Sequence, residues 1–305
     1  MRPASGHEPR SGIALLRKEV GLSSFQTLSP VKRRVGGAKV GHAGTLDRFA
    51  EGLLVALVGQ YTRLVPYVVP GEKTYRGVVR FGAETSTLDP EGEVIARAPV
   101  PGLGELEAAL PRFIGHILQK PPAYSALHID GVRAHRRARA GEEIDMPARP
   151  VEVYECRLES FEGADATILV RCSAGTYIRS LARDIAIACG SRAHLVALDR
   201  RAIGPFPVED AVGAEDFDPD RDLLSLDAEK AAALGLPAFS LCEALMPTFM
   251  NGVALRPEDY RSLGSGAPLA EGLPSAVFAG GGRIIGIVEL GQGRVHYRAV
   301  LGGGA

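Results

Sequence analysis

Six consecutive apolar residues bounded by glycines, Gly52-Leu53-Leu54-Val55-Ala56-Leu57-Val58-Gly59, constrain the fold of this chain most, because such a run has to be covered by the rest of the molecule. Immediately ahead of it lies Gly41-His42-Ala43-Gly44-Thr45-Leu46-Asp47. This is a glycine-flanked turn that presents one carboxylate between a basic, His-containing loop and the apolar run. A reactive acid can be held in this way without a metal, and the arrangement points to an enzyme.

The 305 residues exceed the usual size of one domain, so one large domain with a small appendage is expected. Runs such as Leu53 to Val58 are far shorter than the roughly 20 residues that span a bilayer, and the first residues lack a charged-then-apolar signal pattern. A cytoplasmic location is expected. Cys156, Cys172, Cys189 and Cys242 form no Cys-x-x-Cys pair, which fits reduced, buried thiols and gives no zinc-ligand spacing.

A formal charge of -1 does not mark a nucleic-acid binder, but its distribution is uneven. Residues 1 to 80 carry 13 Lys plus Arg against 5 Asp plus Glu, whereas residues 207 to 243 carry 2 against 10. Solvated surface accounts for many such clusters. A split this one-sided also fits a polyanion docking on the basic portion.

Gly12 to Leu16 reads as a short buried strand, and the following segment as a turn opening a helix with Ser24 as cap. Pro30 then either starts a new helix capped by Ser29 or kinks the first one. Residues 75 to 82, 92 to 98, 151 to 161 and 166 to 172 read as strands. Glu105 to Ile114 and Thr176 to Ala188 read as helices, the latter with Ile178, Leu181, Ile185 and Ala188 on one face. Arg133 to Ala140, before Gly141, reads as a basic helix. From Pro207 to about Pro247 the acidic, Ala/Leu-rich composition predicts peripheral helices, and short glycine-punctuated strands after it predict a small β-barrel.

Several chemistries lack support. Gly36 to Gly41 misses the Gly-Lys-Ser/Thr ending of a nucleotide-phosphate loop. His42, His128, His135 and His194 are too dispersed for a helical ligand pair, and Ser23 and Ser24 lack a Gly-x-Ser-x-Gly elbow.

Five motifs, in order and spacing, resemble the bacterial tRNA pseudouridine synthase B (TruB) family. They are Gly41 to Asp47 with Glu51-Gly52-Leu53-Leu54, Lys73-Thr74-Tyr75-Arg76, Pro122 to Leu127, Arg149-Pro150-Val151, and Gly175-Thr176-Tyr177-Ile178-Arg179. The likeness runs from about Ile13 to Arg201 and continues more faintly into a C-terminal module similar to the family's PUA-type barrel.

The resemblance implies an α+β catalytic fold, a central largely antiparallel sheet flanked by helices, over residues 1–240, with a PUA-like module over 241–305. It implies isomerisation of uridine to pseudouridine at position 55 in the T-loop of tRNA, by a monomer without cofactor or metal. Asp47 matches the catalytic aspartate that attacks the flipped-out uridine, a job suited to a group that is both nucleophile and leaving group. Arg179 matches its partner, which would keep Asp47 ionised against desolvation. Tyr75 matches the tyrosine that stacks on the base and is a candidate acceptor of the carbon-5 proton. Tyr177 and Leu198 match positions lining the uracil pocket, and His42 one that enters the RNA loop. Lys18, Lys32, Arg33 and Arg34 would meet phosphates. Residues 123 to 150, with Arg133, Arg136, Arg137 and Arg139, match an insertion that closes over the T-loop.

Two departures stand out: Arg48 follows Asp47 where the family commonly has proline, and Leu16-Arg17-Lys18-Glu19 stands for Leu-Asp-Lys-Pro. With the turn altered at Arg48, a second reading is a tRNA-binding folding chaperone with little catalysis. Guide-dependent modification in a multi-protein particle is a third, disfavoured by the lack of long basic tails.

Overall fold

The computed structural model describes residues 10–124, 128–129, 132–133, 142 and 146–302. The apolar run becomes strand β3 (Glu51–Val58), which follows β1 (Gly12–Lys18) and β2 (Val40–His42). Every residue of β3 from Leu53 to Val58 is fully buried. Alternation explains this: Leu53, Val55 and Leu57 join one apolar cluster while Leu54, Ala56 and Val58 join another on the opposite face. A strand covered on both sides reads as a continuous apolar run.

Around β3 the chain adds β4 (Lys73–Phe81), the small pair β5 (Ala83–Thr85) and β6 (Val94–Arg97), then β7 (Gly115–Gln119), β8 (His128–Ile129) and β9 (Val132–Arg133). The antiparallel β10 (Arg149–Glu162) and β11 (Asp165–Cys172) follow, then β12 (Ala193–Ile203), β13 (Phe206–Pro207) and β14 (Val212–Gly213). The main sheet runs β14-β1-β3-β12-β4-β11-β10-β7, with β2 on β3 and β13 on β12. Its pairings are antiparallel except β1 with β14 and β3 with β12. In that second, central seam Gly52, at φ +103, lies against Arg200; a Cβ there would sit 2.5 Å from the Arg200 carbonyl oxygen, so only glycine allows the strands to meet.

Helix α1 (Ser24–Arg34) is one continuous helix through Pro30. Its cap is Ser23, not the expected Ser24: the Ser23 hydroxyl accepts from the Gln26 N–H at 3.2 Å, and Gln26 Oε1 accepts from the Ser23 N–H at 2.9 Å. Ser29 caps nothing and donates to the Phe25 carbonyl one turn back. Ser23→Ala is expected to lower the unfolding free energy by about 1 kcal/mol in a urea titration.

After the one-turn helix α2 (Val65–Val68), helix α3 (Leu103–Ala109) tightens into a 3-10 turn at Pro111, and α4 (Ile178–Ala188) buries Ile178, Leu181, Ala182 and Ile185 against the sheet. The acidic segment differs from its expectation. It holds one six-residue helix, α5 (Ala228–Ala233), before the short α6 (Met246–Met250); its aspartates instead cap local turns, as Asp218 does for the Asp220 N–H. The expected basic helix also fails at its start, since Arg133 belongs to β9, paired with β8. Arg136, Arg137 and Arg139 lie outside the described residues.

A second sheet, in the order β16-β15-β17-β18-β19, comprises β15 (Ala238–Leu241), β16 (Tyr260–Ser262), β17 (Pro274–Phe278), β18 (Ile284–Gly291) and β19 (Arg294–Val300). It begins at Ala238, slightly ahead of the boundary read from sequence. One face packs on Phe249; the other, through Ala276, Phe278, Ile284 and Ile287, shares an apolar cluster with Leu53, Val55 and Leu57 of β3. Among the described residues no helix is long and apolar enough to cross a membrane.

Candidate active site

Asp47 sits on the loop between β2 and β3, and three ties fix that loop. The Ser24 hydroxyl accepts from the Leu46 N–H at 3.0 Å and donates to the Leu46 carbonyl at 3.3 Å. Lys18 is fully buried beneath the loop, where its ammonium donates to the carbonyls of Ala50 at 2.5 Å, Glu19 at 3.1 Å and Arg48 at 3.4 Å. The Arg48 guanidinium donates to the Gly21 carbonyl, while the Gly21 N–H donates to the Arg48 carbonyl at 2.7 Å. Arg48 thus ties down a turn that lacks its proline.

Lys18 is therefore a strut of the loop and not the phosphate contact expected of it. With its ammonium enclosed by three carbonyls it cannot reach a phosphate, and burial pulls its pKa down to about 8.

Arg179, in the first turn of α4, is 4% exposed and lies directly across from Asp47, with Nε 3.0 Å from Oδ2. The rest of its guanidinium donates to the Thr87 carbonyl at 2.8 Å, Asp89 Oδ2 at 3.1 Å and the Tyr124 carbonyl at 3.0 Å. A planar fork satisfied on all sides is held in one orientation. Its helix is fastened by Gln119, whose side-chain oxygen accepts from the Tyr177 N–H at 2.8 Å, and by the Ser180 hydroxyl on the Lys120 carbonyl.

Asp89 in turn is oriented by the Thr87 hydroxyl at 2.5 Å and the Glu91 N–H at 3.0 Å. The preceding Leu88 is held at φ 61, a conformation costing a non-glycine residue about 1–3 kcal/mol. Strain beside a buried carboxylate is consistent with a turn selected for its site.

The electrostatics of Asp47 run against the simplest expectation. Burial pushes its carboxyl pKa above the ordinary 3.8 and the neighbouring Asp89 pushes the same way; Arg179 and Lys18 oppose this without cancelling it. Its side chain nevertheless keeps 42% of its surface open to the cleft, so an incoming group can reach the carboxylate.

The cleft has a volume of about 700 Å³, and Asp47, Tyr75 and Arg179 all line it, as do His42, Tyr177 and Leu198. Tyr75 is inward on β4 by alternation and lies opposite Arg200 on β12. Burial raises the Tyr75 phenol pKa, so the hydroxyl stays protonated at neutral pH. His42, at the end of β2, has its pKa lowered by burial and then by Arg200, and its buried Nδ1 has no hydrogen-bond partner.

Arg33 and Arg34 meet the acidic segment: both pair with Glu215, at 3.5 and 4.0 Å, and Arg34 also donates to the carbonyls of Ala214 and Glu215. The two opposite charge excesses of the sequence are thus partly joined in space, and a phosphate would compete with Glu215. The Lys32 ammonium lies 4.0 Å from the centre of the Phe25 ring.

Sequence reasoning missed Asp89 and Arg200. Asp89 stands in Asp89-Pro90-Glu91-Gly92, a composition that reads as an ordinary turn. Arg200, 1% exposed, donates to the carbonyls of Leu53 and Gly44 and so underpins the loop carrying His42. Its inward position on a strand, alternating with outward Asp199 and Arg201, was the available signal.

A family model described as TruB family pseudouridylate synthase (N terminal domain) matches residues 32–178. The chain is 46% identical to tRNA pseudouridine synthase B of Bordetella avium (strain 197N) over 235 residues, covering 74% of this chain and 96% of that protein. It is 45% identical to tRNA pseudouridine synthase B of Treponema denticola over 216 residues, 64% of this chain but only 60% of that longer relative. The fold is similar to that of one chain in a solved H/ACA RNP bound to a substrate RNA containing 2'-deoxyuridine, with TM-score 0.74 and 21% identity over 97% of this chain and 86% of that one. A Cbf5-Nop10-Gar1 complex gives TM-score 0.71 and 23% identity over 97% and 84%.

Proposed function

The chain belongs to the TruB family of pseudouridylate synthases, and from that premise we propose that it isomerises uridine to pseudouridine at position 55 in the T-loop of tRNA. The observation that carries this reading is the Asp47 carboxylate, ion-paired at 3.0 Å to a buried arginine yet open to a cleft about 700 Å³ in volume. A base inside a folded loop cannot reach such a carboxylate unless it swings out of its stack.

In the proposed reaction an Asp47 oxygen adds covalently to the extruded uridine and later leaves. Between those events the bond from the ribose to nitrogen 1 breaks and one to carbon 5 forms. The proton on carbon 5 departs and nitrogen 1 gains one, so product and substrate are isomers and no cofactor or metal is consumed. Arg179 holds Asp47 and offsets part of its desolvation. Tyr75 stacks as a neutral phenol, since burial raises its pKa and disfavours the phenolate. Tyr177 and Leu198 wall the base, and His42, on the rim of the same cleft, enters the RNA loop. Lys32, Arg33 and Arg34, with Arg133, Arg136, Arg137 and Arg139, supply contacts to phosphates. The protein works as a cytoplasmic monomer, and its C-terminal sheet is a PUA-like module. The tie between Arg48 and Gly21 weakens the case for a chaperone without catalysis, which rested on a loosened turn.

Incubation of the purified chain with an unmodified tRNA transcript, followed by pseudouridine mapping, should mark position 55 without a guide RNA. No pseudouridine at that site would refute the proposal. A pH profile provides a second check. Asp47 attacks only as the anion, so activity is complete above its folded pKa and lost as pH falls through it. Because that pKa is raised, the acid limb of kcat/KM should lie above 3.8, and a limb at or below that value would contradict the burial argument.

A further inference from the structure

The outward stripe of α1 is Phe25, Ser29 and Lys32, spaced four and three residues apart, while Leu28 and Val31 face the core. Phe25 is anomalous in this position. Its side chain is 67% exposed, and it lines the same cleft as Asp47. Val20 and Leu22, at 61% and 37% exposure, extend the apolar surface along the loop before the helix. The Lys32 ammonium, 4.0 Å from the ring centre, covers one face of Phe25 and leaves the other to solvent.

The backbone that carries the ring is anchored beside the Asp47 loop. Ser24, its neighbour, is bonded to both backbone groups of Leu46, which is the neighbour of Asp47. One residue on each side of that link therefore separates the ring from the carboxylate. A flat apolar surface paired with an ammonium is what single-stranded nucleic acid uses, the ring for a base and the cation for its phosphate.

We propose that Phe25 is a stacking platform for a nucleobase adjoining the flipped uridine, with the Lys32 ammonium on the other face of the ring meeting the backbone phosphate. This rests on the RNA-modifying reading of the cleft. The bound base would be a neighbour of the target nucleotide, held outside the pocket that contains Tyr75.

The chain contains no tryptophan, so Phe25→Trp introduces a single indole at the site. Its emission should be quenched on addition of unmodified tRNA, with KM near wild type. Phe25→Ala and Phe25→Leu should each raise KM about tenfold, kcat being retained, since stacking on one base is the interaction removed. Leucine keeps apolar bulk without an aromatic face. A Leu variant with wild-type KM, or indole emission unmoved by tRNA, would overturn the inference. Quenching by tRNA in the absence of any pseudouridine formation by the wild-type chain would instead uphold this subsite and refute the catalytic reading.

Discussion

Asp47→Asn should lower pseudouridine formation by about four orders of magnitude or more, the usual scale for loss of a covalent nucleophile, while tRNA affinity stays near wild type. Asparagine keeps the shape of the side chain, and its carbonyl oxygen can still accept from Arg179 Nε, now at 3.0 Å from the carboxylate. Loop anchorage is also independent of this group. Ser24, Lys18 and Arg48 all hold the loop through backbone atoms of other residues. The substitution therefore removes nucleophilicity and little else. Release of tritium from carbon-5-labelled uridine in tRNA measures the loss, and filter binding measures affinity. Full turnover by the variant would end the assignment of Asp47, and an unchanged ability to refold tRNA would reveal a separate chaperone activity.

Arg179→Ala should be damaging in a different way, reducing both stability and turnover. In its absence Asp47 and Asp89 face one another without a cation, and the carbonyls of Thr87 and Tyr124 lose their donor. Breaking a buried ion pair costs about 3–5 kcal/mol; Asp47, 42% exposed, can take up water or a proton, but Asp89 is left buried without its cation. Single-turnover rate should fall by about 10²–10³ from loss of a preorganised cation. Arg179→Lys should recover part of the stability and less of the rate, because an ammonium cannot span four acceptors in one plane. Urea unfolding and rapid-quench kinetics test both effects. An Ala variant as stable and as fast as wild type would show that the contact is incidental.

Much of the main sheet was legible in the sequence because alternation is a local property. In β4 the pattern Lys73, Tyr75, Gly77, Val79 and Phe81 inward, Arg76 and Arg80 outward, follows from period two alone. Helix α4 was equally open to view through its one apolar face. Ser23 and Ser24 were harder, since either serine satisfies a capping rule. What decides is Leu46, 22 residues away, whose backbone takes Ser24 and leaves Ser23 to the helix.

Long-range partners also explain the misreadings at the site. Lys18 reads as a phosphate-binding cation until the carbonyl of Ala50 is brought beneath it. Asp89 reads as a turn residue until Arg179, ninety positions later, reaches it. Charged side chains on the inward face of a strand, as at Lys18 and Arg200, are the trace such partners leave in sequence. The acidic segment was misread for a related reason: its composition favours helices, but its aspartates bond backbone N–H groups locally and stabilise turns.

The apolar seam between the two sheets makes the cooperative unit of this protein larger than either one. Phe278 and Ile287 on the C-terminal side are sealed against the same cluster that buries β3, and β3 follows directly from the loop that carries Asp47. Cutting the chain ahead of Ala238 would leave that greasy flank wet and invite aggregation. The carboxyl-terminal strands therefore act as a foundation for the loop that positions Asp47.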